Sequence, residues 1–173
     1  SIRSHLGEIL NSCQSTFKET SFDKQNKEYL CSDVTTAPVY DFDQYVRTLD
    51  REKTPASPDA IYLGNKVLYF VEFKNSVPSD IKTPEIKAKF RDGTNILIQL
   101  LNVFTPKDVR FVFCVVYKAQ QSKYFGGTAY IESLAVKFGL NEFNKELGSF
   151  YDEVITQDVE FYKKAHASLL SCG

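Results

Sequence analysis

Apolar positions along this chain of 173 residues follow two periods, and the change from one to the other outlines the fold. In residues 57–74, SPDAIYLGNKVLYFVEFK, two short apolar runs (59–63 and 66–73) flank Gly64-Asn65. Gly and Asn tolerate the positive φ that a two-residue hairpin loop demands, so the stretch predicts an antiparallel β-hairpin. Leu68-Tyr69-Phe70-Val71 is apolar on both faces, as expected of a central, buried strand. Asp108–Lys118 (DVRFVFCVVYK) has the same character. Between them the period lengthens. Thr83 and Pro84 open a helix over 84–104, with Ile86, Phe90, Gly93, Leu97, Leu100 or Leu101, and Phe104 recurring three or four residues apart. Strand, helix and strand in this order make the two strands parallel neighbours joined by a right-handed crossover.

The remaining pattern is mostly helical. Ile2, Leu6, Ile9, Leu10, Cys13 and Phe17 form one stripe over 2–17, with Ser1 or Ser4 as its cap. Residues 21–31 predict a short helix opened by Ser21, and 33–40 a loop or edge strand. Residues 41–49 predict a helix with Phe42, Tyr45, Val46 and Leu49 on one face. A polar loop spans 120–127, and around it Tyr117, Tyr124 and Phe125, interleaved with Lys118 and Lys123, either stack on bases or, as the commoner role of each singly, pack in the fold. Helices over 129–138, 141–154 and 158–170 follow. The expectation is a single α/β domain over 1–173: a central mixed sheet flanked by helices within about 1–118, and a helical C-terminal part over about 128–171.

Strand alternation then brings chemistry together. Asp59, Ile61 and Leu63 share a face with Lys66, Leu68, Phe70, Glu72 and Lys74. With Leu63 opposite Lys66, Asp59 lies opposite Phe70 and diagonal to Glu72, roughly 7–8 Å away between backbones. A Glu and a Lys two apart on a strand usually mark a solvated edge. At the end of a buried strand they must pair or bind something. Two converging carboxylates raise one pKa unless a cation neutralises them, and oxygen ligands suit Mg²⁺ or Mn²⁺. A neighbouring lysine can orient water or stabilise charge on a phosphate oxygen.

Pro58-Asp59, thirteen positions from Asp59 to Glu72, and Glu72-Phe73-Lys74 resemble the signature of the PD-(D/E)xK nuclease superfamily. The motif covers eighteen residues, and the surrounding order of helix, hairpin, helix and strand is similar to that family's core. The resemblance implies a restriction-endonuclease-like fold and a metal-dependent endonuclease acting on DNA or RNA. Asp59, Glu72 and Lys74 would be catalytic, and the Phe73 backbone carbonyl would help Asp59 and Glu72 hold Mg²⁺ or Mn²⁺. Such families often take a further acid from an upstream helix, for which Glu8 and Asp43 are the candidates. On a helical wheel Glu8 lies opposite Leu6 and Phe17, a solvated position, while Asp43 has the better margin. A variant resembling the endonuclease domains of segmented negative-strand RNA virus polymerases would instead use His5 and Lys87.

Composition narrows the partners. A net charge of −1 gives no bulk attraction to nucleic acid. The densest basic run, Lys82, Lys87, Lys89 and Arg91, is either a solvated helix face or a phosphate-backbone contact. Cys13, Cys31, Cys114 and Cys172 are scattered without metal-ligand spacing, so zinc is not expected. No apolar run approaches a membrane span and no signal peptide opens the chain, which suits action in the cytoplasm. Methionine is absent, as in a segment excised from a longer protein. A toxin or effector nuclease domain held by an inhibitor or immunity protein fits these features. The alternative is a catalytically inactive nuclease-fold module that binds nucleic acid or a partner protein.

Overall fold

The computed structural model describes residues 1–34, 38–101, 107–119 and 138–165. The polar loop over 120–127, the helix expected over 129–138 up to its last residue, and the end of the last expected helix lie outside these residues. Eight strands are described: β1 Gln14–Ser15, β2 Phe22–Asp23, β3 Glu28–Tyr29, β4 Val39–Asp41, β5 Ala60–Leu63, β6 Val67–Lys74, β7 Arg110–Tyr117 and β8 Glu153–Asp158. The described helices are α1 Ile2–Ile9, α2 Phe17–Thr20, α3 Phe42–Thr48, α4 Thr83–Leu101, α5 Leu140–Glu146 and α6 Val159–Ala165.

Six strands form one mixed sheet in the order β1-β4-β5-β6-β7-β8, and β2 and β3 make a separate two-stranded hairpin. The β5–β6 pair is antiparallel, whereas β6–β7 and β7–β8 are parallel. The α/β class, the hairpin and the β6–α4–β7 unit therefore agree with the sequence pattern. Both faces of the central strands are covered. Leu68, Phe70, Phe111, Phe113 and Val115 pack with Leu6, Phe42, Ile86, Phe90 and Leu97 on the side of α1, α3 and α4. Tyr69, Val71, Val112, Cys114 and Val116 pack with Phe17, Val159 and Tyr162 on the other.

Several expectations are corrected. The stripe over 2–17 breaks after α1 into a 3₁₀ turn at Asn11–Cys13, the strand β1 and then α2. The break follows from Thr16, whose hydroxyl caps α2 by accepting from Glu19 N at 3.1 Å. Residues 21–31 hold the β2–β3 hairpin rather than a helix, with Asp23 Oδ1 accepting from Gln25 N and Asn26 N in the turn. The C-terminal part is not purely helical. Where one helix was expected over 141–154, α5 stops at Glu146, Gly148 takes a φ of 81°, and Glu153 opens β8 beside β7. The apolar pattern there is short, and short apolar runs do not separate strand from buried helix.

One close approach fixes how α4 lies on the hairpin. A Cβ placed on Gly93 would come within 2.4 Å of Pro58 Cδ, so the glycine is required by packing. Gly93→Ala is expected to lower stability by about 1–3 kcal/mol in urea unfolding through overpacking. Pro58→Ala in the same chain should recover part of that loss, as expected for two residues in direct contact.

Candidate functional site

The site is built where β5 begins and β6 ends. Gly64 N donates to Val67 O at 2.9 Å, which closes a four-residue turn and pairs Leu63 with Leu68 instead of Lys66. The slip is by two positions, so every side chain keeps its face. Continuing the ladder past Ala60 and Val71 sets Asp59 directly across from Glu72 rather than diagonal to it. Asp59 is held from three sides. Pro58 before it is wedged against Gly93, its carbonyl accepts from Phe42 N at 3.0 Å, and its Oδ2 accepts from Phe73 N at 2.7 Å.

Glu72 is 1% exposed. Its Oε1 accepts from Lys89 Nζ at 2.8 Å, while Oε2 is buried without a hydrogen-bond partner among the described residues. Burial raises the Glu72 carboxyl above its usual range, against the opposing pull of Lys89 and Lys74. Burial and then the Glu72 charge push Asp59 well up. The Lys89 pKa is raised as well: burial disfavours its charge, but Glu72 and Asp59 outweigh that effect. A proton shared between the two carboxyls, or a cation, is what the orphaned oxygen requires.

Lys74 Nζ lies 3.8 Å from Glu85 Oε2. Glu72 and Lys74 on β6 therefore meet Lys89 and Glu85 on α4 as two rungs of alternating charge. Lys89 was assigned by sequence to a basic run, not to this site. The signal for it was present: a crossover helix runs back along its strand, so its first turn faces Lys74 and its second faces Glu72. The basic run itself is dispersed. Lys82 is exposed, Lys87 lies over the Phe143 ring at 5.6 Å, and Arg91 binds Asp92 at 3.1 Å.

The two upstream acids also separate. Glu8 is exposed on α1 and lines neither cleft beside Asp59. Asp43 lines one of them, accepting from Ser57 Oγ at 3.0 Å and Arg47 at 2.5 Å. His5 Nε2 is bound to Leu100 O at 2.8 Å, away from the carboxylates. Among the described residues there is no group of three or more His, Cys, Asp or Glu arranged to hold a metal. Asp59 and Glu72 still suit a hard divalent ion, because the free Glu72 Oε2 lacks a donor and Mg²⁺ keeps several waters. Strand carbonyls alternate: that of Lys74 accepts from Lys118 N on the β7 side, so that of Phe73 faces the Asp59 side.

Two clefts, of about 310 and 540 Å³, meet at Asp59, and Phe22, Asp23 and Gln25 of the β2–β3 hairpin line both. Asn75, directly after β6, ties that hairpin down by donating to Asp23 Oδ2 at 3.1 Å and Glu28 Oε2 at 3.0 Å. Sequence reading missed this wall entirely, because residues 21–31 had been assigned to a helix.

A carboxyl with a raised folded-state pKa contributes stability below its unfolded pKa and loses it as pH rises through the folded value. Asp59→Asn should therefore raise the Tm of the metal-free protein near pH 7, with Glu72 and Lys89 left as a neutral pair. The gain should vanish near pH 4, and thermal unfolding across pH checks it. In comparisons with known proteins, the chain matches no family model, no curated protein and no solved structure.

Proposed function

We propose that this chain is a divalent-metal-dependent nuclease that hydrolyses phosphodiester bonds, with a site of the PD-(D/E)xK kind and a restriction-endonuclease-like fold. One observation carries the reading: at the buried end of a central strand Asp59 lines a cleft beside Lys74 and faces the buried Glu72, whose Oε1 is held by Lys89 and whose Oε2 has no hydrogen-bond partner among the described residues. Asp59, Glu72 Oε2 and the Phe73 carbonyl would hold Mg²⁺ or Mn²⁺, and Asp43 is the better placed of the upstream acids to add a water-mediated contact. Bound there, such an ion supplies polarisation of a phosphoryl oxygen and activation of water.

The chain's own groups do the rest. Asp59 is fixed through its contact with Phe73 N, lies against the Glu72 carboxyl and lines the cleft. Lys89 is engaged by Glu72 and favours the ionised form of that carboxyl against the effect of burial. Lys74, 22% exposed and only loosely paired at 3.8 Å, is the ammonium free to turn toward a phosphate or orient the attacking water. The β2–β3 hairpin and Asn75 form the wall against which a strand of DNA or RNA would lie.

A catalytically silent module that binds nucleic acid or a partner, such as an immunity protein, is favoured by one observation, the lack of a three-acid cluster among the described residues. Among those residues no helix is long and apolar enough to cross a membrane.

Both readings face the same assay. Plasmid, single-stranded DNA and RNA are incubated with Mg²⁺ or Mn²⁺ and with EDTA. Wild type should cut at least one substrate only with metal, and Asp59→Asn, Glu72→Gln and Lys74→Met should each lose on the order of a hundredfold or more in rate. Cutting that survives these changes, or no cutting by folded wild type, would reject the catalytic reading.

A further inference from the structure

The β2–β3 hairpin pairs Phe22 directly with Tyr29, and Asp23 with Glu28. Alternation puts the two rings on one face of the hairpin and the two carboxylates on the other. Asn75, directly after β6, donates to both carboxylates at 3.1 and 3.0 Å, so that face is anchored to the strand carrying Glu72 and Lys74. The aromatic face stays open. Phe22 and Tyr29 lie 4.8 Å apart between ring centroids yet are 38% and 45% exposed, the only exposed aromatics among the described residues. Lys18 Nζ lies over the Tyr29 ring at 4.7 Å, whereas Phe22 lines both clefts beside Asp59. A cross-strand pair of this kind steadies a hairpin, but any two apolar side chains would serve that purpose.

The cleft walls themselves do not attract a phosphate backbone. In the smaller cleft Asp23, Asp59, Asp80 and Glu85 stand against Lys74. In the larger, Glu19, Asp41 and Asp43 join Asp23 and Asp59 against Lys24 and Arg47. Carboxyl groups outnumber cations in both, and a divalent ion at Asp59 leaves the acids of the rims in place. On α2 and the hairpin, Lys18, Lys24 and Lys27 are matched in number by Glu19, Asp23 and Glu28. Neither cleft is therefore the basic groove by which proteins hold a duplex through its phosphates. Stacking on an aromatic ring needs no such charge, because every unpaired base offers a π-face. Resting on the nuclease reading above, we infer that Phe22 is the stacking ring for one unpaired base of the strand whose phosphodiester reaches Asp59, with Tyr29 behind it, so that the substrate is single-stranded nucleic acid. In a duplex the base faces are already stacked on one another and are not offered to Phe22. Clefts of about 310 and 540 Å³ are of the size that takes a small molecule, which suits one nucleotide.

The test is fluorescence anisotropy with labelled strands of about ten nucleotides, joined by methylene phosphonates that resist hydrolysis. Deoxy and ribo series are each titrated as single strand and as duplex, in Mn²⁺ and in EDTA, and the series that binds names the sugar. In Mn²⁺, wild type should bind the single strand of at least one series on the order of tenfold more tightly than its duplex. Phe22→Leu keeps an apolar neighbour for Tyr29 but no ring face, and should lose on the order of tenfold for the single strand with duplex binding unchanged. Phe22→Trp should keep wild-type binding. An abasic strand of the same length should bind wild type no more tightly than Phe22→Leu binds the complete strand. Phe22→Met replaces the Leu variant if circular dichroism shows the latter unfolded. Single-strand binding that survives the loss of the ring, or that an abasic strand matches on wild type, would overturn the stacking role and leave the metal site untouched. Single-strand binding lost in Phe22→Leu but equal in Mn²⁺ and EDTA would uphold stacking and remove the metal reading. No binding of any strand in either condition would overturn both.

Discussion

Burying an ionised carboxylate costs several kcal/mol unless a partner compensates, and Glu72 sits at the covered end of one of the two central strands of this sheet. Much of the local structure can be understood as compensation for that one side chain. Lys89 reaches it from α4, Asp59 faces it from β5, and Lys74 lies two residues on along the same face. The Lys89 contact would not form if α4 lay farther from the hairpin. Gly93 and Pro58 set that distance, since their contact leaves no room for even a methyl group. The packing and the electrostatics are therefore one constraint seen from two sides.

The arrangement is incomplete as a purely structural device. A buried ion pair chosen for stability alone would satisfy both carboxylate oxygens, and hydrophobic residues of similar size often do as well. Here Glu72 Oε2 has no hydrogen-bond partner among the described residues, and a second carboxylate is held against the first by Phe73 N. Both carboxyls are pushed upward by burial, the expense of keeping an acidic pair at the floor of a cleft. Perturbed groups of this kind mark functional sites more often than scaffolds.

Sequence pattern was most informative where one period ran long. The β6 and β7 runs, apolar on both faces, and the α4 stripe were legible as a parallel unit, and the facing of Asp59 and Glu72 survived a two-position slip because side-chain alternation is unchanged by two. The slip itself was not legible, since Gly64-Asn65 suits a two-residue loop as well as a longer turn. Residues 22–29 were misread because two-residue strands leave no period, and their structure depends on Asn75 far along the chain. The β8 strand was missed for a related reason. Its six positions hold only two apolar residues, the adjacent Val154 and Ile155, which show no period, and their partner is β7, more than forty residues earlier. Lys89 was legible only once the direction of α4 against β6 was considered, a tertiary fact that residue spacing along one helix does not carry.

The central claim is that Asp59 and Glu72 face each other in order to share a divalent cation. The most direct measurement is anomalous scattering from crystals grown with saturating Mn²⁺. The account predicts a peak between the Asp59 carboxylate and Glu72 Oε2, at roughly 2.1 Å from each, as expected for a small hard ion. Crystals at saturating Mn²⁺ with no peak between the two carboxylates, or with the only peak elsewhere on the molecule, would contradict it.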